Sequence, residues 1–434
     1  MSSDEDILAR QQRFDEYIGV LASAVGHADR LAPLHGYCTG LLVPGDRKSV
    51  EPMAARLAPR KVSSQHQSML HFVGDSPWDD DDVLSAVRDY TLPKLTRASP
   101  DTSLVVDDSG IVKKGMHSVG VARQYCGQVG KKENCQVVVS LSVANDVGSL
   151  PIAHRLYLTE EWAKDRERRE KAKVPEDIEF QTKPAIALLQ IEQAVKAGIR
   201  GTVLTDAGYG NDTKFRDGVT KLKLPYAVGI QSTTTLWPPG VEPLPAPPYQ
   251  GRGRPQVHGR RAPGHQPVSA KQLAADLPDQ KYREVSWREG AKGQMRSRFA
   301  AVWVHPAHRD TEHPKTRPAE WLLIEWPAGQ KEPTKYWLLT LPHSTPIKKL
   351  VRVTKGRWRI ERDYQELKDE IGLDHYEGRG WRGFHHHATL CIAAYAFLMS
   401  ERLFSPSGEI DRDSLARVPG LPEDYRPRGA ASSD

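Results

Sequence analysis

Two aspartates and a glutamate occupy positions where carboxylate chemistry is commonly built. Asp108 closes the apolar run of SLVVDDSG (103–110), and Asp206 closes another in VLTDAGYG (203–210). Small residues follow each, Ser109-Gly110 and Ala207-Gly208, leaving room for a bulky ligand. In sheets covered by helices, side chains converge at strand ends where the backbone opens toward solvent. Glu361 lies in RWRIERDYQELKDE, where Arg357, Glu361, Gln365 and Lys368 fall on one face of a helix. Ile360, Tyr364, Leu367 and Ile371 form the apolar stripe beside it, which fixes that helix to a core. Singly, each acid has an ordinary explanation: a turn or capping aspartate, or a surface Arg–Glu pair worth a few tenths of a kcal/mol. Together they are three hard oxygen ligands, the donor type that Mg²⁺ takes. Two such ions roughly 4 Å apart can activate a water or a 3′-hydroxyl and stabilise the leaving oxygen of a phosphodiester.

The elements that must position these acids follow from periodicity. Residues 1–98 read as helix: apolar spacing marks 7–25, and shorter helices are expected at 50–58 and 81–92, the latter opened by the acids of WDDDD. No strand is expected before residue 100. Strands follow at 103–110, 135–146 and 154–162, then a charged stretch at 164–173 and an amphipathic helix at 184–198 that Gly198 stops. Two more strands, 200–210 and 224–231, complete a pattern that predicts a mixed α/β sheet. From 232 to 300 the sequence dissolves into Pro, Gly and Arg and reads as loop or linker. Strands return at 298–307, 320–329 and 335–342, then helices at 357–372 and 387–404. The last helix is apolar almost all round, so it should be buried. The tail after 405 is Pro/Gly/Ser-rich and expected to fray.

Composition bounds the possibilities. With 434 residues, two or three domains are expected, and 38% hydrophobic with 27% charged residues suits a globular chain. No apolar run approaches the roughly 20 residues of a membrane span, and the N-terminus MSSDEDILARQQRF carries acids where a signal peptide would be basic. Cys38, Cys126, Cys135 and Cys391 are scattered without a C-x-x-C pair, which argues for a reducing cytosol and against a disulfide framework or cysteine zinc site. The net charge of +6 is unevenly spread: Arg252 to Arg298 holds eleven Lys/Arg against four Asp/Glu, so this segment carries +7 and the remainder −1. Such a segment is either a contact for a polyanion or a solvated loop.

Three segments together resemble the DDE transposases of bacterial insertion sequences: DDSGIVKKGMHSVGVARQYCGQVGKKENCQVVVSLSVA (107–144), TDAGYGND (205–212) and WRIERDYQELKDEIGLDHYEGRGWRGFHHHATL (358–390). Within them, the chain is most similar to the insertion sequence 701 group of the insertion sequence 4 superfamily. The resemblance implies an α/β fold with an RNase H-like catalytic core. A β-rich insertion would lie between the second Asp and the Glu, and an N-terminal helical domain would precede the core. On that pattern 1–98 is the helical, DNA-binding domain, and 99–231 the first part of the core. The insertion is then 232–343, the second part of the core 344–405, and 406–434 a flexible tail. Asp108, Asp206 and Glu361 are implied as ligands of two Mg²⁺ ions, for which Mn²⁺ would substitute. Asp107 competes with Asp108, since neighbouring strand residues face opposite sides; Asp108 is preferred because small residues follow it directly.

The family signature Y-x-x-R-x-x-x-E-x-x-x-x-x-x-K maps onto Arg357, Glu361 and Lys368, with Thr354 standing at the tyrosine position. DNA contacts are expected from Arg357, Lys368, Lys113 and Lys114, and from Arg252, Arg254, Arg260 and Arg261 of the basic segment. The implied partners are double-stranded DNA, as terminal inverted repeats and target, and a second copy of the chain to synapse two ends. The implied place is the bacterial cytosol, at the nucleoid. The implied reaction is cleavage of the element's ends and joining of their 3′-hydroxyls to target DNA. The alternatives are a related Mg²⁺-dependent nuclease that does not join, and a non-catalytic DNA-binding regulator derived from a transposase. His385-His386-His387 does not read as a metal site, because consecutive helical residues point about 100° apart; a helix-entry segment is expected there instead.

Overall fold

The computed structural model describes residues 3–245, 248–252, 261–290, 293–308 and 317–404. Arg254, Arg260 and the 406–434 tail lie outside them. Five helices come first: α1 (Ser3–Val25), α2 (Leu31–Leu42), α3 (Val50–Leu57), α4 (Val62–Gly74) and α5 (Asp80–Ala98). Strands β1 (Ser103–Val112), β2 (Ala122–Cys126), β3 (Lys131–Ala144) and β4 (Ser149–Leu156) follow, then helices α6 (Glu160–Lys164), α7 (Arg166–Lys171) and α8 (Lys183–Lys196). Next are β5 (Thr202–Thr205), α9 (Ala207–Gly210), α10 (Thr213–Lys221), β6 (Tyr226–Ile230), β7 (Thr235–Trp237), β8 (Val268–Ser269) and α11 (Ala270–Asp276). The last elements among the described residues are β9 (Arg283–Gly290), β10 (Gly293–Pro306), β11 (Glu320–Trp326), β12 (Lys335–Leu339), α12 (Ile347–Lys355), α13 (Trp358–Glu366) and α14 (Trp381–Phe404). This is a mixed α/β fold. None of the described helices is long and apolar enough to cross a membrane.

Two compact units divide the described residues: those within 3–102, 107–190 and 359–404 form the first, and those within 103–106 and 191–358 the second. In the first, β2, β3 and the later part of β1 lie side by side, and β4 pairs with β3 in antiparallel register from Val138↔Leu156 to Ala144↔Ser149. The N-terminal helices surround α14, whose residues are buried without a break from Gly383 to Glu401. Tyr17 donates a hydrogen bond to the Ala393 carbonyl (2.9 Å), Phe14 meets Phe397 edge-on, and Arg13 forks onto Glu401. An apolar helix is thus clothed by amphipathic ones, as its composition requires.

Helix α2 was not legible because Pro33, Gly36 and Gly40 interrupt its pattern. Gly40 is needed there, since a Cβ on it would lie 2.9 Å from Met53 Sδ. Helix α5 runs on past Pro93, where a stop was expected, with Thr91 and Leu95 buried on either side of the proline.

The three consecutive histidines lie inside α14 rather than at its entry, and each is used by a different neighbour. His385 bonds the Trp381 carbonyl through Nδ1 (3.0 Å) and receives the Leu156 N–H at Nε2 (3.3 Å). His386 sits between the Val73 and Trp78 carbonyls, both at 3.0 Å. His387 bonds Gly372 O through Nε2 (3.0 Å) and Tyr37 Oη through Nδ1 (2.9 Å). Burial pushes all three down to about 4.

A pH-dependent outcome follows for His387. Its folded value lies below the ordinary 6.5, so its contribution is present above pH 6.5 and is lost as pH falls toward 4. We expect His387→Gln to be less stable than wild type at pH 7.5. Its deficit should narrow by roughly 2 kcal/mol at pH 5, from 1.4 kcal/mol per pH unit over about 1.5 units. Calorimetric melting of both proteins at the two pH values checks it, and a deficit independent of pH would contradict it.

In the second unit, the first residues of β1 pair with β5 in parallel (Ser103↔Thr202 to Val105↔Leu204), and β5 pairs with β6 in parallel. Antiparallel strands extend the sheet through β12, β11, β10, β7 and β8, with β9 on β10. The stretch expected to be loop between 232 and 300 therefore holds β7, β8, α11 and β9. Strand β9 was not legible because half of the positions in its REVSWREG are charged, and its partner β10 fixes it from Arg283↔Phe299 to Gly290↔Gly293.

Candidate active site

Asp108 lies inside β1, not at its end. The strand continues through Ser109, Gly110 and Ile111, all buried, to Val112. Gly110 answers to packing and not to a ligand: a Cβ there would stand 2.5 Å from Cys126 Sγ. The Asp108 carboxylate is about a quarter exposed and forms an ion pair with Lys183 through Oδ2. Asp107 faces differently, its Oδ1 accepting the backbone N–H of Asp108 (3.0 Å), while Ser140 Oγ donates to its carbonyl (3.4 Å).

Lys183 is the first residue of α8. A cation at the positive end of a helix opposes the helix dipole, at a cost of about 0.3–1 kcal/mol. A lysine so placed is the sequence signal for a nearby carboxylate partner.

Glu361 is exposed on the first turn of α13, and that helix is fastened to the first unit at several points. The stripe Ile360, Tyr364, Leu367 and Ile371 is buried as expected. Asp363 is buried too, accepting from Tyr395 Oη (2.9 Å) and from Ser149 Oγ, which ties α13 to α14 and β4. Burial pushes Asp363 up to about 7. Tyr364 is buried and hydrogen-bonded with Ser140 of β3, and burial raises its hydroxyl well above the usual range. Arg359 reaches the Asp146 carbonyl in the β3–β4 turn.

Lys368 departs from expectation. It was placed on the polar face beside Glu361, yet it is buried, and its ammonium donates to Gly110 O of β1 at 2.7 Å and approaches Gln128 Oε1 at 3.5 Å. The cause is a π-helical turn over Leu367–Ile371, which rotates Lys368 off the face that regular helical spacing assigns. Burial lowers the lysine below its ordinary value. Lys368 therefore joins the strand of Asp108 to the helix of Glu361. Lys113 is likewise turned inward, donating to Tyr376 O (2.8 Å) and Asp374 O (3.4 Å), while Lys114 stays exposed.

In the second unit, Asp206 ends β5 and caps α9, its Oδ1 accepting from the backbone N–H groups of Gly208 (2.8 Å) and Tyr209 (3.4 Å). The small residues after it serve close packing. A Cβ on Gly210 would lie 2.0 Å from Gly229 O, and one on Gly229 would lie 2.8 Å from Ala207 N. Buried Arg216 donates to the Gly210 carbonyl and holds the same turn from α10. Glu320 is buried near Arg216, and burial pushes its carboxyl up to about 7.

Arg357 is not on the helix of Glu361. It stands in the turn between α12 and α13, because Gly356 closes α12 with its N–H on Arg352 O and Val353 O. Thr354 is buried, and its hydroxyl donates to Leu350 O within α12 (2.8 Å). Of the basic segment, Arg252 is exposed and Arg261 donates to Ala307 O (3.1 Å).

Three carboxylates are a donor set that suits a hard divalent cation. Among the described residues, no group of three or more His, Cys, Asp or Glu side chains stands together as a ready metal cluster.

Comparison with known proteins places these carboxylates in context. A model of the family described as DDE superfamily endonuclease matches residues 20–294, a range that includes Asp108 and Asp206 and stops short of Glu361. The chain belongs to the DDE superfamily endonucleases. It is also similar to the probable transposase for insertion sequence element IS701 of Microchaete diplosiphon, with 31% identity over 168 residues. That match spans 38% of this chain and 41% of the relative, less than half the length of either.

Proposed function

We propose that this chain is an insertion-sequence transposase with an RNase H-like core. It would cut DNA phosphodiesters at its element's ends and join the freed 3′-hydroxyls to target DNA. The observation that carries the reading is the anchoring of α13: in a chain of this family, an exposed Glu361 is borne on a helix that Asp363 ties to α14 and β4, Tyr364 to β3, and Lys368 to β1 near Asp108. A solvated surface helix has no need of three buried polar ties. Asp108, Asp206 and Glu361 are the residues that would hold divalent ions, Mg²⁺ or Mn²⁺. A bound ion supplies Lewis acidity toward the nucleophilic and leaving oxygens of a phosphodiester.

The chain's own residues do the rest. The N–H groups of Gly208 and Tyr209 hold the Asp206 carboxylate in one orientation, and Lys183 does so for Asp108. Asp363 and Tyr364 keep Glu361 from drifting with a frayed helix end. Exposed cations such as Lys114 and Arg252 are the candidates for phosphate contact.

The test is cleavage of labelled DNA carrying the element's ends. We expect nicks at the ends with Mg²⁺ or Mn²⁺, little cleavage with Ca²⁺, whose looser geometry suits in-line attack poorly, and none in EDTA. Products joined to a target plasmid separate a transposase from a nuclease that only cuts. Equal cleavage in EDTA would overturn the metal-dependent reading, and DNA binding without cleavage under any condition would favour a regulator.

A further inference from the structure

Between Val112 and Glu133 the chain carries five Lys/Arg (Lys113, Lys114, Arg123, Lys131, Lys132) and no Asp or Glu. This run forms a loop and then the β2–β3 hairpin, with β2 at the end of the strand order. Register sets its outer face. Tyr125 pairs with Lys132 and Arg123 with Asn134, so side-chain alternation puts Arg123, Tyr125 and Lys132 on one side. All three are exposed, and Tyr125 is 61% exposed. The alternate residue Cys126 is fully buried, which fixes the opposite face inward.

The preceding loop is held by its backbone and turns Lys113, Val119 and Val121 inward. Asn134 Nδ2 donates to the carbonyls of Lys113 (2.6 Å) and Gly115 (2.9 Å). Buried Gln136 donates to Val119 O (2.7 Å), and Arg168 reaches Met116 O (3.3 Å). The Val119 N–H bonds Arg379 O (3.0 Å). Lys114, Met116 and His117 nevertheless face solvent, Met116 at 72% exposure.

Cations on an edge strand are often only a guard against pairing with other chains. A guard does not need a loop whose carbonyls are tied by side-chain amides, nor an exposed aromatic ring directly across from a lysine. Fixed cations interleaved with exposed flat or apolar side chains are the chemistry that takes backbone phosphates and stacks on bases.

We propose that the loop 113–121 and the β2–β3 hairpin form a DNA-docking surface. Its exposed cations lie on phosphates, and Tyr125 stacks on a base released where the duplex opens. The proposal rests on the reading of this chain as a DNA-processing enzyme. It adds that the bound DNA is locally unpaired at this surface.

Binding of the full chain to two labelled probes tests it: a duplex, and the same duplex with one end forked into single strands. Neutralising Lys114, Arg123 and Lys132 together to Ala should weaken both probes and flatten the slope of log affinity against log salt by roughly 2 to 3 units. Tyr125→Ala should weaken the forked probe about tenfold and the duplex less than about twofold, and Tyr125→Trp should keep the forked affinity. Circular dichroism and melting of each variant confirm that the fold is kept. An unchanged salt slope, or a Tyr125→Ala loss equal on the two probes, overturns the proposal. Wild-type protein that binds neither probe overturns the DNA-processing reading itself, a failure separate from an unchanged slope.

Discussion

Asp108→Asn, Asp206→Asn and Glu361→Gln should each lower cleavage of end DNA by at least about a thousandfold while leaving DNA binding within about threefold. On the proposed reading, the loss would follow from removing one hard anionic ligand from a set whose ions would lower the barrier by several kcal/mol. The amide replacements are chosen so that the fold survives. Asparagine is as good an N-cap as aspartate, so Asp206→Asn keeps its bonds to the Gly208 and Tyr209 N–H groups and with them the start of α9. Glu361 is exposed, so its change carries little packing cost. Asp108→Asn loses the ion pair with Lys183, which at this partial exposure is worth little to stability. Cleavage assays beside binding isotherms make the comparison. Asp107→Asn belongs in the same series: if it abolishes cleavage while Asp108→Asn does not, the first carboxylate is the neighbour. Full activity in Glu361→Gln would remove α13 from the chemistry altogether.

The elements around these acids were legible to differing degrees, for physical reasons. The apolar stripe of α13 and the all-round burial of α14 follow from composition at helical spacing, and both are as expected. Asp206 was legible as a strand-end acid because a four-residue buried strand is followed at once by its own cap. The position of Asp108 was not. A Ser-Gly pair reads as a strand end, but a neighbouring cysteine makes the glycine an interior residue of a ten-residue strand. Arg357 and Lys368 were assigned by regular spacing, which cannot foresee a break after Gly356 or a π-turn at Leu367. Asp363 falls among the buried positions of α13, where an acid signals a buried polar partner. Its partners Ser149 and Tyr395 lie 214 and 32 residues away in sequence, beyond any local pattern.

Lys368→Met tests whether this lysine serves the fold or the DNA. Its ammonium lies on Gly110 O, two residues beyond Asp108 on β1, and it sits seven residues beyond Glu361. Methionine keeps the length and apolar stem but leaves a buried carbonyl without its donor, at a cost of about 1–3 kcal/mol. We expect a lower melting temperature and cleavage reduced about tenfold to a hundredfold, the size of effect that a misplacement of about 1 Å produces at a reacting centre. The salt dependence of DNA binding should not change, because a cation held on a backbone carbonyl displaces no counterions from DNA. A phosphate-binding lysine predicts the reverse: unchanged melting, and a salt slope flatter by about 0.9. Lys368→Gln sharpens the distinction, since an amide can still donate to a carbonyl but carries no charge. Recovery of melting temperature and cleavage in Lys368→Gln would identify a tether between β1 and α13. Failure of Gln together with rescue by Lys368→Arg would show that the charge itself is what matters.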